Sequence, residues 1–256
     1  MEWSDTGIVL SARRHGESAA VVSLLTEHHG RHAGLVQGAR GRRGRGLYQP
    51  GNTLAARWQA RLAEHLGRYT CELVRAQSSV LLDDPPRLAA LAAVCALTEA
   101  TLAERHPYPQ VYRALGHLLD ALEANERWAE TVVRYELALL GELGFGLDLS
   151  ACAATGAVEG LAYVSPRSGR AVTREAGAPY VEKLLPLPPF LALSEGDTAS
   201  ATAADIVAGL RLTGWFLEKH VFGGQGGRMP PARERFIDRL QTGATSSPAA
   251  QVRQES

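Results

Sequence analysis

Glycine and arginine are interleaved in one short segment, residues 38–46, which reads Gly-Ala-Arg-Gly-Arg-Arg-Gly-Arg-Gly. Glycine lets the backbone approach a ligand closely, and arginine can form two parallel hydrogen bonds with a phosphate. The Gly-Lys-Ser/Thr ending of a nucleotide-binding P-loop is missing, and the lack of apolar periodicity predicts a loop. The segment indicates either a polyanion-binding loop or a solvated hairpin tip, and its basic surroundings favour polyanion binding.

Other residues with potential chemistry carry weaker signals. The spacing of His28, His29 and His32 is only a weak metal signal, and the glycine-containing turn between them directs side chains apart, so we interpret them as surface residues rather than metal ligands. Cys152 begins a Cys-Ala-Ala-Thr segment, which holds only half of a Cys-x-x-Cys zinc pair, and we expect a buried, inert thiol. Neither Gly-x-Ser-x-Gly nor His-Glu-x-x-His occurs. We predict no catalytic residue, no metal and no cofactor.

Charge is distributed unevenly along the 256 residues, although 27 basic and 27 acidic side chains cancel. The first 80 residues contain 11 arginines and six acidic residues, whereas residues 81–160 contain five basic and 12 acidic residues. This division favours a polyanion-binding module joined to a different scaffold. No apolar run is long enough for a membrane helix, and three widely spaced cysteines suit a reducing compartment. We therefore expect a cytoplasmic protein with no membrane partner.

The first 80 residues show the pattern of short strands separated by turns. Apolar runs of strand length, several of them rich in β-branched residues, recur between glycine-containing turns. The strand candidates are residues 7–11, 20–25, 34–37, 53–62 and 69–74. Five short strands in about 75 residues are typical of a small antiparallel barrel.

The apolar spacing becomes helical after residue 83. Asp84 is placed to cap a helix with proline in its first turn, and His106-Pro107 ends that helix. Further helices are predicted at residues 110–124, 128–143, 202–221 and 231–240. Carboxylates within the helices, such as Glu99, Glu123 and Glu136, are expected on solvated faces.

These patterns divide the chain into five predicted parts. A barrel occupies residues 1–80, helices 81–149, an irregular insertion 150–200, C-terminal helices 201–242, and a disordered tail 243–256. The tail is predicted because its residues are small and polar.

The order of several short motifs resembles that of the RecO family of DNA repair proteins. The motifs are Gly7-Ile8-Val9-Leu10, Arg14-His15-Gly16-Glu17, Leu24-Leu25-Thr26 with His29-Gly30, Gly38-Ala39-Arg40, residues 143–149 (LGFGLDL) and residues 163–169 (YVSPRSG). The resemblance extends from about Trp3 to Leu240. It implies an α+β fold: an N-terminal OB-fold β-barrel, then an α-helical domain with a small insertion related to a zinc finger.

The resemblance also implies a function. It is that of a nucleoid-associated recombination mediator of the RecF pathway that binds single- and double-stranded DNA and anneals complementary strands. With RecR and single-stranded DNA-binding protein, such a mediator helps to load RecA. DNA binding would fall to the barrel arginines Arg13, Arg14, Arg31, Arg40, Arg42, Arg43, Arg45 and Arg57. Trp58 is either a base-stacking residue or a buried one.

Two further implications concern the helical domain. The acidic, phenylalanine-ended tail of single-stranded DNA-binding protein would bind there, and the candidate arginines are Arg105, Arg113, Arg127 and Arg134.

Zinc-containing members of the RecO family use Cys-x-x-Cys twice. This sequence has Cys152 at the first position but Thr155, Thr173 and Ala176 at the others, so the insertion is expected to be degenerate and to fold without metal.

Two other classes of protein fit the same composition. One is an RNA-binding OB-fold module acting in translation, which the relative affinity for matched DNA and RNA strands would distinguish. The other is a purely protein-binding adaptor, which would bind no DNA even at low salt.

Overall fold

Five strands at the N-terminal end of the chain close into a barrel. They are β1 (Glu2–His15), β2 (Ala19–Thr26), β3 (Gly30–Val36), β4 (Thr53–Gln59) and β5 (Arg68–Arg75). The order around the barrel is β1-β2-β3-β5-β4, antiparallel except for a short parallel contact between β3 and β5. The computed structural model describes residues 1–62, 64–192, 200–224 and 227–245. The predicted five-stranded barrel is confirmed, although β1 begins earlier and β4 ends earlier than the sequence indicated.

The barrel core depends on two glycines that leave room for aromatic rings. A Cβ atom on Gly34 would lie 2.4 Å from the ring of Tyr69. Gly67 has a positive φ of +64°, and a Cβ there would lie 2.3 Å from the ring of Trp58. Because neither glycine has a side chain, both large rings fit inside a barrel of only five strands.

The arginine- and glycine-rich segment is helical where we predicted a loop. Helix α1 spans Arg42–Leu47, between β3 and β4. The backbone of Ala39 lies so close to Gly44 that a Cβ there would be 2.4 Å from the Ala39 oxygen. The Asn52 side-chain amide donates hydrogen bonds to the carbonyls of Gly46 and Leu47, at 2.9 and 3.1 Å. These tertiary contacts stabilise a helix in a segment whose own sequence shows no helical periodicity.

Helices form most of the remaining described chain. The longer ones are α3 (Pro85–Thr101), α4 (Pro109–Ala124), α5 (Trp128–Glu142), α8 (Ala203–Phe216) and α9 (Pro231–Thr245). The shorter ones are α2 (Gln77–Val80), α6 (Arg174–Gly177), α7 (Pro189–Ala192), a 3-10 helix (Ala178–Lys183) and a π-helical turn after α8 (Leu217–Phe222). Across the described ranges, no helix combines the length and apolar character that crossing a membrane requires.

The helix predictions succeed where apolar periodicity is strong. The Asp84 side chain accepts a hydrogen bond from the Arg87 backbone N–H at 3.0 Å, which confirms the predicted cap of α3. Helix α9 continues to Thr245, so residues 243–245 are helical and the predicted tail begins too early. The rest of that tail, residues 246–256, lies outside the described residues.

Residues 150–200 contain a small sheet where we predicted irregular structure. Its strands are β6 (Leu161–Val164), β7 (Ala171–Thr173) and β8 (Leu185–Pro186), paired antiparallel in the order β7-β6-β8. The strands are too short for an alternating pattern to stand out in the sequence.

One carboxylate that we predicted to be solvated lies in the core. Glu136 on α5 is 1% exposed, and Arg233 on α9, 4% exposed, binds both of its oxygens. The two bonds measure 2.7 Å from Nε and 2.8 Å from Nη2. The hydroxyl of Thr213 on α8 also donates to Glu136. The sequence did not reveal this group because its partner lies 97 residues away.

The barrel packs against α3 through β1. Ile8 and Leu10 share a buried apolar cluster with Leu91 and Val94 of α3. At the edge of this contact the Ser11 hydroxyl donates to Glu99 at 2.7 Å. The contact covers one side of the barrel, whereas two cavities lie toward the two ends of the barrel.

Candidate nucleic-acid interface

The barrel end that carries α1 has a cavity surrounded by arginines. The cavity, called here the α1 cavity, measures about 400 Å³, and Ala20, Ala39 and Tyr48 contribute to its walls. Three exposed arginines lie around it and are called here the arginine rim: Arg14, Arg40 and Arg45. They belong to β1, the segment before α1, and α1 itself, so the fold gathers basic side chains from separate parts of the sequence.

Hydrogen bonds to backbone carbonyls orient two of the rim arginines. Arg14 donates from Nε to the Gly16 carbonyl at 3.1 Å, and Arg40 donates from Nη1 to the Glu17 carbonyl at 2.8 Å. Among the described side chains, no member of the arginine rim has an ion-pair partner. Each guanidinium keeps its full charge and further N–H donors for a phosphate.

The other predicted DNA-binding arginines have different surroundings. Arg42 lies exposed on α1, whereas the side chain of Arg43 is outside the described part of the structure. Arg13 pairs with Glu99 at 3.0 Å but is 72% exposed. Arg31 binds the Leu102 carbonyl and Glu104, and Arg57 pairs with Glu2. The structure therefore brings Arg14, Arg40 and Arg45 together and places Arg31 and Arg57 elsewhere on the barrel.

The four arginines considered for the protein tail contact different parts of the fold. Arg105 donates to the carbonyls of Glu64 and His65, both at 3.0 Å, at the barrel end opposite α1. Arg127 binds Glu130 at 2.9 Å, and Arg134 binds the Phe190 carbonyl at 2.6 Å. Arg113 lies exposed on α4. The structure does not gather the four into one site.

The structure of the barrel end opposite α1 decides the open alternative for Trp58 and corrects the interpretation of His32. Trp58 is 2% exposed and donates from Nε1 to the Leu66 carbonyl at 3.0 Å, so it is a core residue. His32 is also buried, where we predicted a surface histidine, and burial lowers its pKa. His28 and His29 contact the carboxylate of Asp5, at 3.4 and 3.1 Å. Within the described ranges, no three His, Cys, Asp or Glu side chains are arranged to hold a metal ion.

Cys152 lies among hydroxyl and backbone N–H groups rather than among other thiols. It is 1% exposed, which confirms the predicted burial, and its Sγ lies 3.7 Å from the Thr173 hydroxyl. The Thr155 hydroxyl and the N–H groups of Thr173, Ala154 and Thr155 lower the pKa of the thiol to about 6. The four positions considered for zinc thus offer one sulfur, two hydroxyls and the methyl group of Ala176. This set does not fit zinc, which prefers thiolate, imidazole or carboxylate ligands.

We therefore expect the purified, tag-free protein to contain well under one equivalent of zinc. A single thiolate supplies too few ligands, and threonine does not form the anion that zinc prefers. Elemental analysis after dialysis against metal-free buffer measures this directly. The Cys152→Ala variant is the matched control and should give the same zinc content. A stoichiometric amount of zinc in the unaltered protein, lost in the variant, would contradict the prediction.

Comparison with known proteins identifies the family. The model of the N-terminal part of recombination protein O matches residues 1–77, which include the whole barrel, and that of its C-terminal part matches residues 82–228. The chain belongs to the RecO family. This confirms the resemblance seen in the sequence, and membership in RecO indicates a role in DNA repair and recombination.

Curated relatives match nearly the whole chain. The protein named DNA repair protein RecO from Rhodospirillum centenum is 53% identical over 249 residues, covering 96% of this chain and 98% of the relative. The protein of that name from Rhodospirillum rubrum is 54% identical over 246 residues, covering 94% and 97%. A third, from Caulobacter vibrioides, is 51% identical over 240 residues, covering 94% and 98%.

Proposed function

We propose that this member of the RecO family is a non-enzymatic recombination mediator. It binds single- and double-stranded DNA through an OB-fold barrel, anneals complementary strands and helps to load RecA onto strands coated by single-stranded DNA-binding protein. The observation that carries the proposal is the arginine rim around the α1 cavity. The closed five-stranded barrel, with a helix between β3 and β4, supports the assignment of an OB fold.

The arginine rim supplies what annealing requires. Two strands must approach each other although their phosphates repel, and arginines without acidic partners reduce that repulsion. Contacts with phosphate position a strand without selecting its sequence, so the same surface can hold any complementary pair. The step needs charge neutralisation and exposed bases, and it needs no nucleophile, metal or cofactor.

Protein partners belong to the same proposal. We propose RecR and the acidic tail of single-stranded DNA-binding protein as partners, with the tail on the helical domain. Such a tail needs an apolar pocket with a cation for its terminal carboxylate. Of the four candidate arginines, Arg113 is the one whose exposed guanidinium binds no other group in the described part of the chain, so we place the carboxylate there first.

An annealing assay tests the function. We expect the protein to accelerate pairing of complementary DNA oligonucleotides, both bare and coated with single-stranded DNA-binding protein. The acceleration should weaken as salt rises, because it depends on contacts with phosphate. Fluorescence of a dye and quencher on the two strands measures the rate, with a non-complementary pair as the control. Strong preference for matched RNA strands would instead support a module acting in translation, and absence of DNA binding at low salt would support a protein-binding adaptor.

A further inference from the structure

A second cavity lies at the barrel end opposite α1. It measures about 490 Å³, within the range of sites for small ligands, and is called here the aromatic cavity. Its lining includes Trp3 from β1, His29 from the β2–β3 turn, Trp58 from β4 and Arg105 from the segment after α3. Trp3 and Ser11, which line the two cavities, are eight positions apart on β1, so the cavities are separated by about 25 Å along the strand.

The rings of the aromatic cavity form a parallel stack. Trp3 lies between His29, at 4.1 Å between ring centroids and 8° from parallel, and Trp58, at 5.8 Å and 16°. His32 and Trp58 meet in a T-shaped contact, with 4.7 Å between ring centroids. Trp58 and His32 are buried, whereas Trp3 and His29 are partly exposed. Because His29 and Trp58 cover the two faces of Trp3, His29 is the ring whose outer face can meet a ligand, and the rings beneath hold it in place.

Polar groups fix the exposed part of the stack. The Asp5 carboxylate contacts the His29 ring at 3.1 Å and accepts a hydrogen bond from the His28 backbone N–H, also at 3.1 Å. Arg105 has a left-handed backbone conformation, with φ of 60°, and two backbone carbonyls anchor one of its terminal nitrogens. The other N–H groups of its guanidinium are available to a ligand at the mouth of the cavity.

We propose that the aromatic cavity binds one unstacked nucleobase of a single strand, with an adjacent phosphate on Arg105. The inference rests on the proposed DNA binding and assigns a second contact, distinct from the arginine rim. Every base has a flat π-face, so stacking on the outer face of His29 tolerates any sequence. Duplex DNA would not enter, because its bases are already stacked and paired.

The charge of the cavity favours a base over an acidic peptide. Glu2 and Arg105 both line the cavity, and the Asp5 carboxylate contacts His28 and His29, so the site contains carboxylates as well as a guanidinium. Burial lowers the pKa of His32, which keeps that ring neutral near pH 7. A ring-lined site with carboxylates beside it suits an uncharged nucleobase and disfavours the acidic side chains of a peptide.

The test compares a thymidine oligonucleotide with an abasic oligonucleotide of the same length. The unaltered protein should prefer the thymidine strand. The His29→Ala variant should lose roughly 5–100-fold in affinity for that strand, as expected for one base–aromatic stack, with little change for the abasic strand or for duplex. His29→Phe keeps a ring and should recover most of the affinity. His117→Ala, which replaces an exposed histidine of α4, is the matched control and should change nothing.

A second measurement does not depend on a destabilising substitution. Thymidine strands, but not abasic strands, should change the tryptophan fluorescence of the unaltered protein, and Trp3→Phe should remove that change. If His29→Ala binds both strands as the unaltered protein does, or if the fluorescence change persists in Trp3→Phe, the proposed base site is wrong and the proposed DNA binding stands. If no strand binds at low salt, the proposed function itself is wrong.

Discussion

Replacing Glu136 with glutamine should lower the free energy of unfolding by about 3–5 kcal/mol, as for other buried ion pairs that lose one partner. The variant leaves Arg233 buried on α9 without its carboxylate, and an arginine cannot become neutral by losing its proton. Arg233 also donates to the Leu210 carbonyl at 2.5 Å, so its guanidinium is held in place between α8 and α9. Urea denaturation followed by circular dichroism measures the loss.

Two further variants give this prediction its controls. Arg170→Gln breaks the pair with Asp148, in which both side chains are 47% exposed, and should cost less than about 1 kcal/mol. The double variant Glu136→Leu with Arg233→Met removes both charges and should recover most of the stability, because apolar replacements of a buried pair are often neutral. If the free energy of unfolding of Glu136→Gln lies within about 1 kcal/mol of that of the unaltered protein, the ion pair does not hold α5 and α9 together.

Replacing Arg14, Arg40, Arg42 and Arg45 together with alanine should flatten the salt dependence of single-strand binding. Each phosphate contact contributes roughly 0.7 to the slope of log affinity against log salt, so two to four lost contacts reduce it by roughly 1.5–3. At about 0.1 M salt this corresponds to an affinity roughly 30–1000-fold weaker. The loss should be similar for all sequences, and the annealing rate should fall with it.

A variant with the same loss of charge provides the control for this experiment. Its four alanines replace Arg167, Arg174, Arg211 and Arg228, which are exposed outside the barrel. It should keep a slope close to that of the unaltered protein, because contacts rather than net charge set the slope. The free energy of unfolding of both variants should lie within about 1 kcal/mol of that of the unaltered protein, since exposed side chains contribute little to stability. Equal slopes in the two variants would show that the arginine rim does not bind DNA.

The sequence by itself determined the features that depend on neighbours along the chain. Short apolar runs between glycine-containing turns located the five strands, and apolar residues three and four apart located α4 and α5. Asp84, followed by two prolines, located the start of α3. The order of short motifs was enough to indicate the family. Each motif is a run of neighbouring residues at a turn or at the end of an element, so it is visible in the sequence without the structure.

Tertiary structure alone decided the features that join distant parts of the chain. Helix α1 forms because Ala39 and Asn52 pack against it, and its own residues show no helical period. Glu136 is buried because Arg233 reaches it from another helix, and an amphipathic pattern alone cannot distinguish a paired carboxylate from a solvated one.

The candidate binding sites also contain some features that the sequence showed and others that only the tertiary structure decided. Arginines 40 to 45 were found from composition, but Arg14 joins them only because the β1–β2 turn folds beside α1. Of the two tryptophans at the opposite end, Trp58 is enclosed by the barrel and Trp3 stays partly exposed. The sequence around each tryptophan does not show which of the two rings faces solvent. The strand pairing that closes the barrel therefore decides which ring is exposed.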